Sequence, residues 1–374
     1  MTTINIANRL LKYGLHIAVT WPGTPPSLLR KSVWLIVLGA LQTYQYRYVI
    51  IHFKSNTITE IIDNLSICMP FTLVFFKLCI AWSYSSLLTD ILTTMEEECQ
   101  KSAGTDTSNF VLNALHLSYR LTSYVIYICL ASAAFYMFGV LMSKNTDTTS
   151  RKFLLKMDLP FDTSESPTYE LVIGVQFVYQ TMTAYIFGVF NALLLMVVLH
   201  LGCQIDLMCQ KLLDTPYKDK RHLKLFIIRH QEIIIFAKKM EKLFTYMALI
   251  QLLSNTLLIC CLGYIIILAT QMDNGIVLLV KCCVFYISIC SELFIYCFAG
   301  EYLSIKSKLI SDTAYELLWY NIDPSDTQLL ILVILRAQKG FTFTFGKFAN
   351  LSMESFAAIM KASASYMSVL LAMT

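Results

Sequence analysis

Long apolar blocks separated by short polar stretches dominate the pattern of this chain. A helix needs about 20 predominantly apolar residues to cross a hydrocarbon layer of about 30 Å. Seven segments reach that length: 33–53, 61–83, 121–142, 171–202, 243–270, 275–300 and 348–373. They differ in clarity. The first has a polar middle (Gln42, Gln45, Arg47), and the fourth is long enough to project beyond a bilayer. The last is the weakest by hydropathy and is rich in small residues such as Ala349, Ser352, Ala358 and Ala364. The pattern predicts an all-α membrane protein with seven transmembrane helices.

Other segments fit between these spans. Residues 329–335 (LLILVIL) are apolar but too short to cross, and predict a short helix outside the membrane followed by a turn. The alternating Phe-Thr-Phe-Thr-Phe at 341–345 suits a short strand or an extended link. The polar stretch 143–170, with Pro160 and Pro167, predicts irregular backbone.

Composition supports the membrane reading. Apolar residues make up 56% and charged residues 14%, against about 25% charged in soluble globular chains. So few charges cannot clothe a soluble fold of 374 residues. Residues 1–20 carry Arg9, Lys12 and His16 and lack the continuous apolar core of a cleavable signal. The net charge of +4 gives no reason to expect nucleic acid. Nine of the twelve cysteines lie in apolar runs, where cysteine packs as a small hydrophobe. No metal site, cofactor motif or catalytic signature is found, so no enzyme activity is expected.

Lys and Arg in the connections set the orientation. With the N-terminus in the cytosol, about nineteen basic residues fall inside and about five outside, and the loop 203–242 dominates the bias. An odd number of spans then puts the C-terminus outside. A G-protein-coupled receptor has the opposite orientation.

Ionisable residues at membrane depth are functional candidates. Arg47, Lys77 and Lys281 sit near span ends and are expected to snorkel to the interface. Glu292 lies deeper and must pair or face protein or water; a part in ion conduction is the rival to structural pairing. His222 and His230 fall in the basic loop and are expected to be solvated. The triple Glu96-Glu97-Glu98 is expected to cap a helix or face solvent. Asn64 and Asn350 head glycosylation sequons but lie at or within spans.

Two stretches resemble the insect odorant receptor family. The first holds Gly300-Glu-Tyr-Leu303, Ser307, Leu309, Ala314-Tyr315 and Trp319-Tyr320. The second runs from Leu335-Arg-Ala-Gln-Lys339 through Gly346-Lys347-Phe348, Leu351-Ser352, Phe356, Ile359 and Lys361 to Ser365-Tyr366. The match is specific, because many positions agree in order over about forty residues. The middle of the chain carries no comparable motif.

The resemblance implies a subunit of a tetrameric, non-selective cation channel. It implies a cytosolic segment at 1–32, six helices of a ligand-binding region at 33–300, cytosolic anchor helices at 301–347 and a pore-lining helix at 348–374. Partners would be a co-receptor subunit, a small apolar volatile, membrane lipid, and the monovalent and divalent cations that pass the pore, at the plasma membrane of sensory neurons. The loop 203–242 is short for the co-receptor, so the chain looks like a tuning receptor. Alignment on Ser365 and Tyr366 carries the gate position to Val369, with Ala372 one turn further out. Ala364 and Met367 depart from the aromatics common in the family. For the ligand, the outer halves of four spans select Cys68, Met69, Phe71, Ser132, Phe135, Tyr136, Phe177, Gln180 and Tyr286.

Rival readings are a gustatory-type homomeric channel, a G-protein-coupled receptor and a transporter. The Gly-Lys-Phe and Leu-Ser-x-Glu-x-Phe pattern favours the odorant branch over the first, and the charge bias opposes the second. The third would need paired broken helices or clustered intramembrane carboxylates, which are not seen.

Overall fold

A computed structural model describes residues 6–22, 28–54, 58–102, 108–144, 153–160, 167–214, 220–271, 276–317, 323–341, 343–346 and 349–372. Among them the chain forms α1 (Arg9–Ile17), α2 (Leu28–Ile51), α3 (Ile58–Ser83), α4 (Ser85–Ser102), α5 (Ser108–Lys144), α6 (Thr168–Leu213), α7 (Lys220–Gln271), α8 (Ile276–Glu316), α9 (Pro324–Gln338) and α10 (Met353–Ala372). A two-stranded ribbon, β1 (Thr344–Phe345) with β2 (Ala349–Asn350), lies between α9 and α10.

Each expected span contains a helix, though the last, expected at 348–373, starts only at Met353, after β2. Five of them, α3, α5, α6, α7 and α8, contain stretches long and apolar enough to cross a membrane. By that measure α2 and α10 are not among the five; α2 carries Arg30, Lys31 and Arg47, and α10 carries Glu354 and Lys361.

The centre of the bundle is α6. Its apolar residues continue around the whole helix, and its most hydropathic stretch is entirely buried, as expected of a helix apolar on every face. It packs against α5 on one side and α7 and α8 on the other. Gly188 permits the close approach to α5: a Cβ there would lie 3.2 Å from both Ile126 Cα and Cys129 Cβ. By contrast α5 and α8 bury only a minority of their apolar stretches.

At 1.5 Å per residue the 46 residues of α6 span about 69 Å, far more than the bilayer core. Its continuation corrects the expectation of a long loop at 203–242. Helix α6 runs on to Leu213 and α7 already begins at Lys220. The basic residues did not prevent helix formation, because apolar residues recur beneath them: Phe226, Ile233, Phe236, Ala237 and Met240 are buried. His230 is buried as well, not solvated; the side chain of His222 lies outside the described residues.

The ends of the bundle are tied down by specific bonds. Asn8 caps α1 by accepting from Leu11 N–H (2.7 Å), and its amide donates to Thr122 and Ser123 on α5 (both 2.9 Å). In the connection before α6, the backbone of Leu155 is held by the Gln176 side chain at both its N–H (3.1 Å) and its carbonyl (2.9 Å). Arg47 pairs there with Asp158 at 2.8 Å. At the other end Ser307 on α8 accepts from Phe341 N–H (3.0 Å), and Gly340, at φ 69°, turns the chain out of α9. The ribbon then closes at Gly346 (φ 57°) and delivers Leu351, whose N–H donates to Phe343 O at 2.8 Å. The Leu351 carbonyl lies against Gly300, where a side chain would overlap it.

Candidate functional site

A cavity of about 100 Å³ lies inside the bundle between α3, α5, α6, α7 and α8. The lining residues repeat at three- and four-residue steps, the spacing of one helix face: Ile67, Pro70 and Phe71 on α3; Cys129, Ser132, Ala133 and Tyr136 on α5; Gln180, Thr183, Ala184 and Phe187 on α6; Asn255 and Leu258 on α7; Phe285, Ser288, Ile289 and Glu292 on α8. Leu73 completes the wall. Most of this surface is aromatic or aliphatic, with a few converging polar groups, the make-up of a small-molecule site.

A buried polar cluster adjoins the cavity around Glu292. Gln251 Nε2 donates to Glu292 Oε2 (3.2 Å) and to Asn255 Oδ1 (2.8 Å). Lys77 is buried and feels the Glu292 charge. Its ammonium donates to Asn191 Oδ1 at 2.9 Å and lies 4.3 Å from the centre of the Phe187 ring. Tyr296 OH donates to the same Asn191 oxygen at 3.4 Å. Lys77 therefore does not snorkel; its stem ends among protein donors and acceptors. Lys281 does not snorkel either, because Asp63 holds it at 2.9 Å. The Glu292 side chain is buried at the cavity wall with Gln251 as its hydrogen-bond donor.

Of the nine residues selected from sequence, Phe71, Ser132, Tyr136 and Gln180 line the cavity. Cys68 is buried beside it, and its carbonyl accepts from Gln42 and Thr72 (3.2 and 3.1 Å). Met69 and Tyr286 are partly buried and pack on the core; each is one residue from a lining position and so rotated about 100° away from the cavity. Phe135 and Phe177 point outward, 55% and 51% exposed. The sequence reading named no residue of α7, although the polar group Ser254-Asn255-Thr256, one turn after Gln251 in an otherwise apolar stretch, was a signal. It also left out Thr183, Phe187, Phe285 and Ser288, which follow from the lining faces once the register is known.

On α10, one face packs on α7 and α8. Ser363 is buried, with its carbonyl accepting from Cys260 Sγ at 3.8 Å, and Phe356 meets the Phe294 ring edge-on at 6.0 Å. The opposite face is open. Ser365, Tyr366, Ser368 and Val369 are exposed, Val369 by 57%. The side chain of Ala372 lies outside the described residues.

A second polar cluster joins α4, α6 and α7 at the end of the bundle away from 153–160. Glu98 accepts from His200 Nε2 (2.8 Å) and pairs with Arg229 (2.8 Å), which also reaches Glu232 and Gln204 (both 2.7 Å). So Glu98 is paired in the interior, while Glu96 and Glu97 remain outside it. Burial pushes the Glu98 carboxyl up, but His200 and Arg229 more than reverse this and hold it below the ordinary carboxylate value. With Glu98 ionised, His200 Nε2 must carry the proton in that bond. Lys239 with Asp90 and Lys306 with Asp206 (2.6 Å) add further ties between helices at this end.

The family described as 7tm Odorant receptor matches residues 57–364. Odorant receptor 13a of Drosophila melanogaster is 31% identical over 40% of this chain and 38% of its own length. Odorant receptor 10 of Aedes albopictus is 27% identical over 56% of this chain and 57% of its own. The odorant receptor coreceptor of Aedes aegypti is 23% identical over 40% of this chain and 30% of its own. The matched stretches thus span less than two thirds of these curated relatives. The insect olfactory receptor OR5 from Machilis hrabei, alone and in complex with eugenol, has the same fold, with TM-scores of 0.78 and 0.77 at 15% identity; the match covers 97% and 98% of this chain and the same shares of each solved chain.

Proposed function

This chain belongs to the 7tm odorant receptor family, and on that premise we propose that it is the odorant-tuning subunit of a ligand-gated, non-selective cation channel. A small volatile binds in the cavity between α3, α5, α6, α7 and α8. Binding favours an open arrangement, and the channel opens to the extent that the ligand prefers that state. A co-receptor subunit completes a tetramer, in the plasma membrane of sensory neurons. All seven long apolar segments cross the membrane, with the N-terminus in the cytosol and the C-terminus outside. Helix α10 lines the pore and Val369 forms its narrowest ring.

The observation that carries this reading is the juxtaposition of a mostly apolar cavity inside the bundle with a helix, α10, whose outer face is exposed among the described residues. Ser365 and Ser368 on that face are polar and Val369 is a small aliphatic residue, a mixture that suits a water-lined axis with an apolar constriction among copies or homologues. The solved OR5 complex, in which a relative of this fold holds eugenol, fits a small volatile as the ligand class.

The test is whole-cell current from cells expressing this chain with and without a co-receptor subunit, under a volatile panel with G-protein signalling blocked. Current that needs both subunits supports the proposal. Current that survives without the co-receptor removes the partner from it. Silence with surface expression confirmed refutes it.

A further inference from the structure

The lining of the cavity carries more information than its size. Gln180 is 93% buried on α6, and its amide nitrogen faces the Ala133 carbonyl at 3.5 Å. A carbonyl can only accept, so the amide oxygen is the atom turned away, and that oxygen has no partner among the described residues. An orphaned buried acceptor is destabilising unless something donates to it. On the same cavity wall, Glu292 presents a second acceptor, with Gln251 donating to one carboxylate oxygen. The hydroxyls of Thr183 and Ser288 are already committed to their own helices, donating to Tyr179 O (2.7 Å) and Val284 O (3.1 Å).

Resting on the receptor reading above, we infer that this cavity takes a small neutral ligand with one hydroxyl group, an alcohol or a phenol, whose O–H donates to Gln180 Oε1. Two features narrow the class. The Asn255 amide nitrogen on the same wall is likewise unpartnered among the described residues and can donate to a ligand oxygen; a hydroxyl can serve either group, whereas ketones, aldehydes and esters can serve only Asn255 and hydrocarbons neither. Charge is disfavoured, because the lining is mostly apolar and a buried charge without a partner is costly. Size follows from the volume of about 100 Å³. An apolar cavity of about 150 Å³ takes up benzene, so one ring or a chain of similar bulk is the upper bound and enters only as the walls widen.

The test uses three probes of matched shape: benzyl alcohol, benzaldehyde and toluene, applied to the full chain with its co-receptor subunit. Benzyl alcohol is expected to half-activate at a concentration about tenfold lower than either of the others, the effect of one buried hydrogen bond. Gln180→Met, which keeps the bulk and removes the acceptor, should bring the three probes within about twofold of each other. Gln180→Glu keeps an acceptor and should retain the order. Because the readout is a ratio within one variant, a change in expression does not imitate it. Equal or better activation by toluene or benzaldehyde overturns the hydroxyl assignment while the receptor reading stands. A preference unchanged in Gln180→Met also overturns it. Silence to these probes with a response to other volatiles rejects the ligand class alone; silence to every volatile with surface expression confirmed rejects the receptor reading with it.

Discussion

Lys77→Met isolates the polar cluster beside the cavity. The side chain is 1% exposed and makes a charge-assisted hydrogen bond to Asn191 at 2.9 Å and a ring contact with Phe187 at 4.3 Å. The bond is worth about 2 kcal/mol and a desolvated cation–ring contact about 2 kcal/mol. Methionine restores much of the packing, but Glu292 then stays buried without its opposite charge. Breaking a buried pair from one side costs about 3–5 kcal/mol, and the single variant is expected to lose about 4 kcal/mol. Glu292→Gln keeps a hydrogen-bonding group beside Gln251 and leaves Lys77 its bond to Asn191 and its ring contact, so it should lose about 2 kcal/mol. In the double variant neither charge is stranded, and the loss should fall short of the sum by at least about 2 kcal/mol. Reversible denaturant unfolding in detergent micelles of the four proteins measures this coupling. Additivity within about 0.5 kcal/mol would mean that the two charges do not hold each other, and the account of the cluster would be wrong.

Glu98→Gln should lower stability by about 2 kcal/mol at neutral pH. Because the folded carboxyl titrates below its ordinary 4.5, the wild-type advantage is fully present above that value. It fades as pH falls through the depressed one; an advantage that persists or grows on acidification refutes the pairing with His200 and Arg229. Gly300→Ala forces the Leu351 carbonyl away from α8 and should lower stability by about 1–3 kcal/mol, read as a fall in the monodisperse fraction on heating; wild-type behaviour would show that α10 is not seated there. Val369→Ala removes two methyls from the proposed gate ring and should raise basal current or alter permeability. Unchanged basal current and permeability in that variant would remove Val369 from the gate.

The apolar blocks were enough to locate α2, α3, α5, α6, α7, α8 and α10, because length and hydropathy are properties of single segments; the more polar α4 gave no such signal. Helix ends outside the membrane were less legible. The stretch 203–242 reads as a basic loop by charge, yet it is helix on both sides of a short turn, because its apolar positions at Phe226, Ile233 and Met240 are satisfied only by partners distant in sequence. The same holds for the charges. Lys77 and Lys281 sit where a stem could reach the interface, and only the fold shows Asn191 and Asp63 within reach. Of the nine residues selected from sequence, four line the cavity and five do not. Phe135 and Phe177 have the chemistry of a lining and stand on outward faces, a rotation that hydropathy on a nearly all-apolar helix cannot fix.

Helices α7 and α8 form the only thickness of protein between the cavity and α10 among the described contacts. On α7, Asn255 and Leu258 face the cavity, while Cys260 and Gly263 touch Ser363 and Met367 of α10. On α8, Ile289 and Glu292 face the cavity, while Phe294 and Gly300 touch Phe356 and Leu351. Leu258 to Cys260 and Glu292 to Phe294 are each two residues, about 200° on a helix, so these two pairs place the cavity on one side and α10 on the other. The opposite wall has less freedom: α6 is buried all round, and at Gly188 it packs so closely on α5 that an added Cβ would lie 3.2 Å from Ile126 Cα and Cys129 Cβ. A ligand that widens the cavity therefore displaces α7 and α8 in preference to α6. In the proposed channel that displacement reaches α10 across a single helix diameter of about 10 Å, with no need for a longer chain of intermediaries.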